Sequence, residues 1–268
     1  MTVNQTVKYK WTQFFLVIFI SFVSIYGINR LNIEKSIEGG ARIRLEKTVK
    51  TADDVSYLLP AKNYLNNKGW NDGSPGLQGN YMRSPGYGLF CLPFFATLEE
   101  STALLFIRTT QCLLIALAAG LLFMLLLHWG FPNLLAFFSA AFLGILPSFS
   151  GYVFYTLTEG LTPVLLFLLF ALYAFSKLKY YQSKRWGLIL IYLIACAVFG
   201  FIFITRPVFG TFALLLLSIF LKIKTPLVKK VQLSILGLIL AFGPTVLWEY
   251  RNHNLGKEIK GISTFYEI

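Results

Sequence analysis

Residues 109–158 read TTQCLLIALAAGLLFMLLLHWGFPNLLAFFSAAFLGILPSFSGYVFYTLT, and from Thr109 to Thr158 there is no Asp, Glu, Lys or Arg. A helix that crosses a bilayer takes about 20 mostly apolar residues, so this run is too long for one span. It is interrupted at His128-Trp129-Gly130-Phe131-Pro132-Asn133, where Gly and Pro signal a turn. The pattern predicts two helices, near 104–127 and 133–153.

Working outward, further apolar runs lie near 13–28, 160–176, 186–204, 208–222 and 231–248. The chain therefore reads as all-α: a polytopic membrane protein of about seven transmembrane helices in one domain, 1–268. The run at 13–28 follows Lys8 and Lys10, and Asn29-Arg30-Leu31-Asn32 is a poor cleavage site, so it is read as a retained helix and not a signal peptide. Composition agrees: 56% of the 268 residues are hydrophobic and 13% charged, against about 25% charged in soluble proteins. Disordered, fibrous and disulfide-rich classes and most soluble enzymes are excluded. Cys91, Cys112 and Cys196 stand singly in apolar runs, as small hydrophobes and not as metal or disulfide partners.

The net charge of +12 is explained by where the charges fall. With the N-terminus in the cytoplasm, the inner segments hold Lys8, Lys10, Lys177, Lys179, Lys184, Arg185, Lys222, Lys224, Lys229 and Lys230 and no acidic residue. The acids, Glu34, Glu38, Glu46, Asp53, Asp54, Asp72, Glu99, Glu100, Glu159, Glu249, Glu258 and Glu267, all fall outside. The positive-inside bias selects this orientation, N-terminus in and C-terminus out. Membrane lipid is thus an expected partner of the basic loops, and nucleic acid is not.

The outer loop 29–100 is unlike the rest of the chain, with nine Lys/Arg, most of the acids and a Gly/Asn/Pro-rich stretch at 66–85. Within it, 52–65 has helical spacing, with Val55, Leu58, Leu59 and Leu65 on one face and Asp53 or Asp54 as N-cap. The apolar segment 87–98 is short for a span and suits an interfacial or re-entrant helix. The other outer turns each carry charge: Glu159, Arg206 and Arg251. With Asp53, Asp54 and Arg83 they form one candidate polar site. Carboxylates there can deprotonate a hydroxyl or hold a divalent cation, and arginines can hold phosphate.

Each candidate also has a purely structural reading. Asp53 suits an N-cap and Asp54 a solvated neighbour. Glu159 at a helix start is favoured by the macrodipole, and Arg206, Arg251 and Arg108 suit snorkelling at helix ends. Arg83, in a Gly/Pro-rich loop, has the fewest structural reasons to be there. His128 reads as an interfacial residue, His253 has no evident partner, and no phosphate-binding Gly loop, HExxH or GxSxG is present.

Several stretches carry a resemblance. Asp53-Asp54-Val55-Ser56-Tyr57, Ala61-Lys62-Asn63-Tyr64-Leu65, Lys68-Gly69-Trp70 and above all Arg83-Ser84-Pro85-Gly86-Tyr87-Gly88-Leu89-Phe90 resemble the N-terminal part of bacterial GT-C-type integral-membrane glycosyltransferases, similar to protein O-mannosyltransferases and aminoarabinose lipid A transferases. In that family the last stretch is an Arg-Pro-Pro-Gly-Tyr-Pro-Leu-Phe run, so Ser84 and Gly88 replace two prolines. Thr158-Glu159, Thr205-Arg206-Pro207, Trp248-Glu249-Tyr250-Arg251-Asn252, Gly256 and Ser263-Thr264 follow in family order.

The resemblance implies transfer of a sugar from a polyprenyl-phosphate-linked donor to a glycan, lipid or protein acceptor at the outer face of the cytoplasmic membrane. It implies Asp53, rather than Asp54, as catalytic base or metal-linked carboxylate, and Glu159 as a second carboxylate orienting the acceptor. Arg83, Arg206 and Arg251 are then the donor-phosphate ligands. Such proteins continue for several more helices, so the expectation is an N-terminal part of the fold, or a chain completed by a partner subunit. The alternatives are a transporter or flippase-like carrier of a lipid-linked or anionic solute, and a non-catalytic membrane subunit.

Overall fold

A computed structural model describes residues 3–40, 43–45, 47–49, 51, 53–73, 83–146, 151–178 and 185–255. Glu46, Lys179, Lys184, Gly256, Glu258, Ser263, Thr264 and Glu267 lie outside the described residues, as do 74–82 of the Gly/Asn/Pro-rich stretch and the side chains of Lys8 and Lys10.

The described chain is almost all helical. Its helices are α1 (Val3–Glu38), α2 (Asp54–Leu65), α3 (Gly86–Thr97), α4 (Glu100–His128), α5 (Asn133–Ile145), α6 (Thr162–Phe175), α7 (Arg185–Thr205), α8 (Ala213–Leu221) and α9 (Leu227–Asn254). A two-residue antiparallel pair, β1 (Ile43–Arg44) with β2 (Thr48–Val49), follows α1. Five helical segments are long and apolar enough to cross a membrane: 11–38, 100–128, 158–175, 185–205 and 227–254. The other two expected spans are shorter helices here. One is α5, and the other is a 3-10 stretch, Pro207–Phe212, running into α8.

The break between the expected helices at 104–127 and 133–153 has a local cause. After His128 the backbone turns left-handed at Gly130 (φ +85°). There the Phe131 N–H donates to the Leu126 carbonyl at 3.0 Å and the Gly130 N–H to that of Leu127 at 3.1 Å. This is the Schellman cap, and Pro132 behind it prevents the helix from continuing. The expected outer loop starts later than residue 29. Helix α1 runs on to Glu38, with Ile33 buried and Arg30 and Glu34 paired one turn apart at 3.1 Å.

Packing divides the helices into two groups. Helices α1, α4 and α5 share a core around Val17, Ala119, Phe123, Ala136 and Ala140. Helices α6 to α9 share another around Leu169, Tyr192, Phe199, Ile202, Ile219 and Ala241. Contact between α4 and α6 joins the groups, and α3 packs against both α4 and α7. Only 22% of the apolar window of α1 and 17% of that of α9 is buried, which leaves them broad apolar faces of the kind that meets lipid.

Because successive helices alternate in direction, the two ends of the bundle differ in charge. One end carries Glu100, Glu159, Arg206 and Arg251 together with α2 and α3. The other carries Lys177, Arg185, Lys222, Lys224, Lys229 and Lys230.

Candidate functional site

The first turn of α3, Gly86-Tyr87-Gly88, is the hub of the acid-bearing end. Pro85 precedes it and accepts the Leu89 N–H at 2.8 Å, a place where proline's missing donor is harmless. Gly86 lies so close to the end of α7 that a Cβ there would be 2.2 Å from Thr205 Oγ1 and 2.7 Å from its Cα. Tyr87 is fully buried and donates from its hydroxyl to Gln111 Oε1 on α4 at 2.6 Å. A Cβ on Gly88 would be 2.8 Å from the Trp70 ring. The end of α7, helix α4 and the loop after α2 thus meet on three consecutive residues.

Around this hub stand two carboxylate–arginine pairs. Asp53 Oδ1 meets Arg83 Nη2 at 2.6 Å. The Arg83 Nε donates to Ser56 Oγ at 3.3 Å, and its guanidinium lies 5.3 Å from the centre of the Tyr57 ring. The Tyr57 ring in turn meets Tyr87 edge-on at 5.8 Å. In the second pair Glu159 Oε1 meets Arg206 Nη2 at 2.9 Å, and Glu159 Oε2 accepts from Thr158 Oγ1 at 3.1 Å. Burial first, then Cys91, Glu159 and Asp54, push the Tyr87 phenol well above its ordinary range. It therefore stays protonated, a donor between carboxylates contributed by α2 and by the Thr158–Gly160 turn.

Several structural readings of these residues change. Asp53 occupies the N-cap position of α2 but makes no side-chain capping bond. Thr51 Oγ1 accepts the Asp54 N–H instead, at 3.0 Å, which leaves the Asp53 carboxylate to Arg83. Asp54, expected as a solvated neighbour, is fully buried, because α2 turns Asp54, Leu58 and Ala61 inward under α3. Val55 and Leu65, expected on that same face, are exposed. Arg108 does not snorkel: it is 7% exposed, donates to the Lys47 carbonyl at 2.9 Å and lies over Tyr26. Arg251 donates to the Trp70 carbonyl at 2.7 Å and to Asn252 Oδ1 at 3.0 Å, and stacks on Trp248. It ties the loop after α2 to α9.

A cavity of about 500 Å³ opens beside the Glu159–Arg206 pair. Its polar lining includes Glu159, Thr162 and Arg206, while Leu166, Phe167, Phe170 and Phe209 make an apolar wall that descends along α6. Nothing in the hydropathy pattern singled out these wall residues, which look like any other span. Gln111 was legible in principle, as a lone amide at the head of a charge-free run. Among the described residues no three His, Cys, Asp or Glu side chains gather as a metal cage. Asp53 and Glu159 are each paired with an arginine. Cys91, Cys112 and Cys196 are free and buried.

Comparison with protein-family models, with curated proteins and with solved structures finds no match for this chain.

Proposed function

We propose that this chain is a membrane-embedded glycosyltransferase of GT-C type, moving a sugar from a polyprenyl-phosphate donor to an acceptor hydroxyl at the outer membrane surface. The observation that carries the reading is the cavity below the Glu159–Arg206 pair. A cation and a carboxylate stand at its mouth and an aromatic wall runs along α6, which suits an amphiphile with a phosphate head and an isoprenoid tail. Arg206 takes the donor phosphate in exchange for Glu159, and an arginine fork suits that group. Asp53, whose side chain is 57% exposed, accepts the acceptor's proton. The acceptor oxygen bonds to the anomeric carbon as the bond from that carbon to the phosphate oxygen breaks, and polyprenyl phosphate leaves. Arg83 orients Asp53, and Arg251 holds the loop that carries Trp70.

The same reading takes α5 with the segment after it, and Pro207–Leu221, as two further spans. That makes seven, with the N-terminus and the basic loops in the cytoplasm in keeping with the positive-inside bias. A solute carrier would place ionisable groups near the bilayer midplane. Among the described residues the buried charged side chains are Asp54, Asp72 and Arg108, all at the acid-bearing end.

The test is transfer of radiolabelled sugar from a polyprenyl-phosphate donor in proteoliposomes. Asp53→Asn and Arg206→Gln each abolish transfer while leaving membrane insertion intact. Transfer at the wild-type rate by Asp53→Asn removes the assigned role, and solute flux without transfer removes the enzyme reading.

A further inference from the structure

The opposite end of the bundle holds a second constellation, independent of the transferase reading. Tyr173, in the last turn of α6, has two ammonium groups over its ring: Lys177 Nζ at 4.4 Å and Lys222 Nζ at 5.1 Å from the centroid. Lys222 comes from the end of α8 and also donates to Ser176 Oγ at 3.2 Å, with Ser176 fully buried. Beside it Lys230, at the start of α9, lies over Phe220 at 5.5 Å, and Lys224 and Lys229 are exposed close by in sequence. Arg185 stacks on Trp186, which is 75% exposed, as an aromatic anchor at a membrane interface would be.

Two like charges drawn onto one aromatic ring repel each other, and ring quadrupoles attract cations without neutralising them. At the acid-bearing end Arg30, Lys62, Arg83 and Arg206 each pair with a carboxylate. At the basic end no ion pair forms among the described residues, and the sequence supplies no Asp or Glu between Gly160 and Trp248. Among the described residues Lys177 and Lys222 have no carboxylate partner, which leaves their charge open to an external anion. The ends of membrane-spanning helices, an exposed Trp and an apolar flank on α8 place it at the level of lipid head groups.

We propose that Lys177, Tyr173 and Lys222, with Ser176 fixing Lys222, form a seat for the phosphodiester head group of an anionic phospholipid. The lysines neutralise the phosphate, and the Tyr173 ring draws both ammonium groups to one place. The acyl chains lie along the exposed side of α8 at Leu214, Leu217 and Leu221.

The experiment uses the full chain purified in a neutral detergent, with dioleoylphosphatidylglycerol, dioleoylphosphatidylcholine and inorganic phosphate each titrated against thermal unfolding and native mass. Phosphatidylglycerol is expected to raise Tm and remain bound, and phosphatidylcholine to do neither. In Lys177→Gln/Lys222→Gln, apparent affinity falls roughly 30-fold, at about fivefold for each cation removed near an anionic surface. Lys68→Gln, exposed in the loop after α2 at the opposite end, serves as a control that leaves it unchanged, and Lys177→Arg/Lys222→Arg restores it. Equal response to the two lipids overturns the proposal, as does undiminished binding by the double Gln variant. Stabilisation by inorganic phosphate as strong as by the lipid also overturns it, in favour of a soluble anion. If the double variant does not fold, Lys177→Gln alone is measured and is expected to lose about fivefold.

Discussion

Replacing Gly86 by alanine tests the junction on which the candidate site is built. The added methyl would stand 2.2 Å from Thr205 Oγ1, 2.7 Å from its Cα and 2.8 Å from its nitrogen. Two of those three atoms are backbone and cannot rotate away. The hydroxyl can turn, but only by giving up the 2.6 Å bond it donates to the Phe201 carbonyl. Overpacking of this kind costs about 1–3 kcal/mol and the lost hydrogen bond about 1 kcal/mol, so the expected total is about 2–4 kcal/mol. At the roughly 2–4 °C per kcal/mol typical of chains of this size, Tm falls by on the order of 5–15 °C. Thermal unfolding in detergent, followed by tryptophan fluorescence, measures it. Gly27→Ala, where no atom lies within 4 Å of the new methyl, is the control and should be neutral or slightly stabilising. Because Arg206 follows Thr205 directly, the proposed transferase activity predicts that Gly86→Ala also weakens sugar transfer more than its stability loss alone explains. A Gly86→Ala protein melting within about 1 °C of wild type would refute the close contact between α3 and α7.

Other outcomes follow from buried polar groups at the same end. Gln111→Leu leaves the buried Tyr87 hydroxyl without its 2.6 Å acceptor and should cost about 1–3 kcal/mol. Adding Tyr87→Phe should recover most of that loss, and a double-mutant cycle on Tm showing no coupling would exclude the bond. Arg108→Met removes the donor to the Lys47 carbonyl and should cost about 1.5–3 kcal/mol. It should also free the β1–β2 pair, read as faster trypsin cleavage at Lys47; an unchanged cleavage rate would mean that α4 does not anchor the pair.

Much of the helix plan was legible along the chain. The break at His128–Asn133, the helix from 54 to 65 and the five long apolar segments follow from composition over windows of 12 to 20 residues. The segregation of acids from the purely basic loops was equally visible, and the structure carries it to opposite ends of the bundle. Less legible were the two shorter helices: the apolar run at 133–153 outlasts α5, and the run at 208–222 opens in a 3-10 stretch, Pro207–Phe212, before α8.

For the site, the charged candidates were visible in the sequence, while their partners, Gln111 and the cavity wall at Leu166, Phe167, Phe170 and Phe209 were not singled out by it. Sequence reading alone established that Asp53, Arg83, Glu159, Arg206 and Arg251 border apolar helices on one side, because hydropathy and charge are properties of neighbours in the chain. Tertiary structure alone decided that Asp53 pairs with Arg83 and Glu159 with Arg206, that Asp54 is buried, and that Arg251 is spent on a backbone carbonyl. Those outcomes depend on how α2, α3, α6, α7 and α9 are set against one another, to within an ångström at Gly86. A side chain's partner is fixed by that register between helices, which leaves no periodic trace within any one of them.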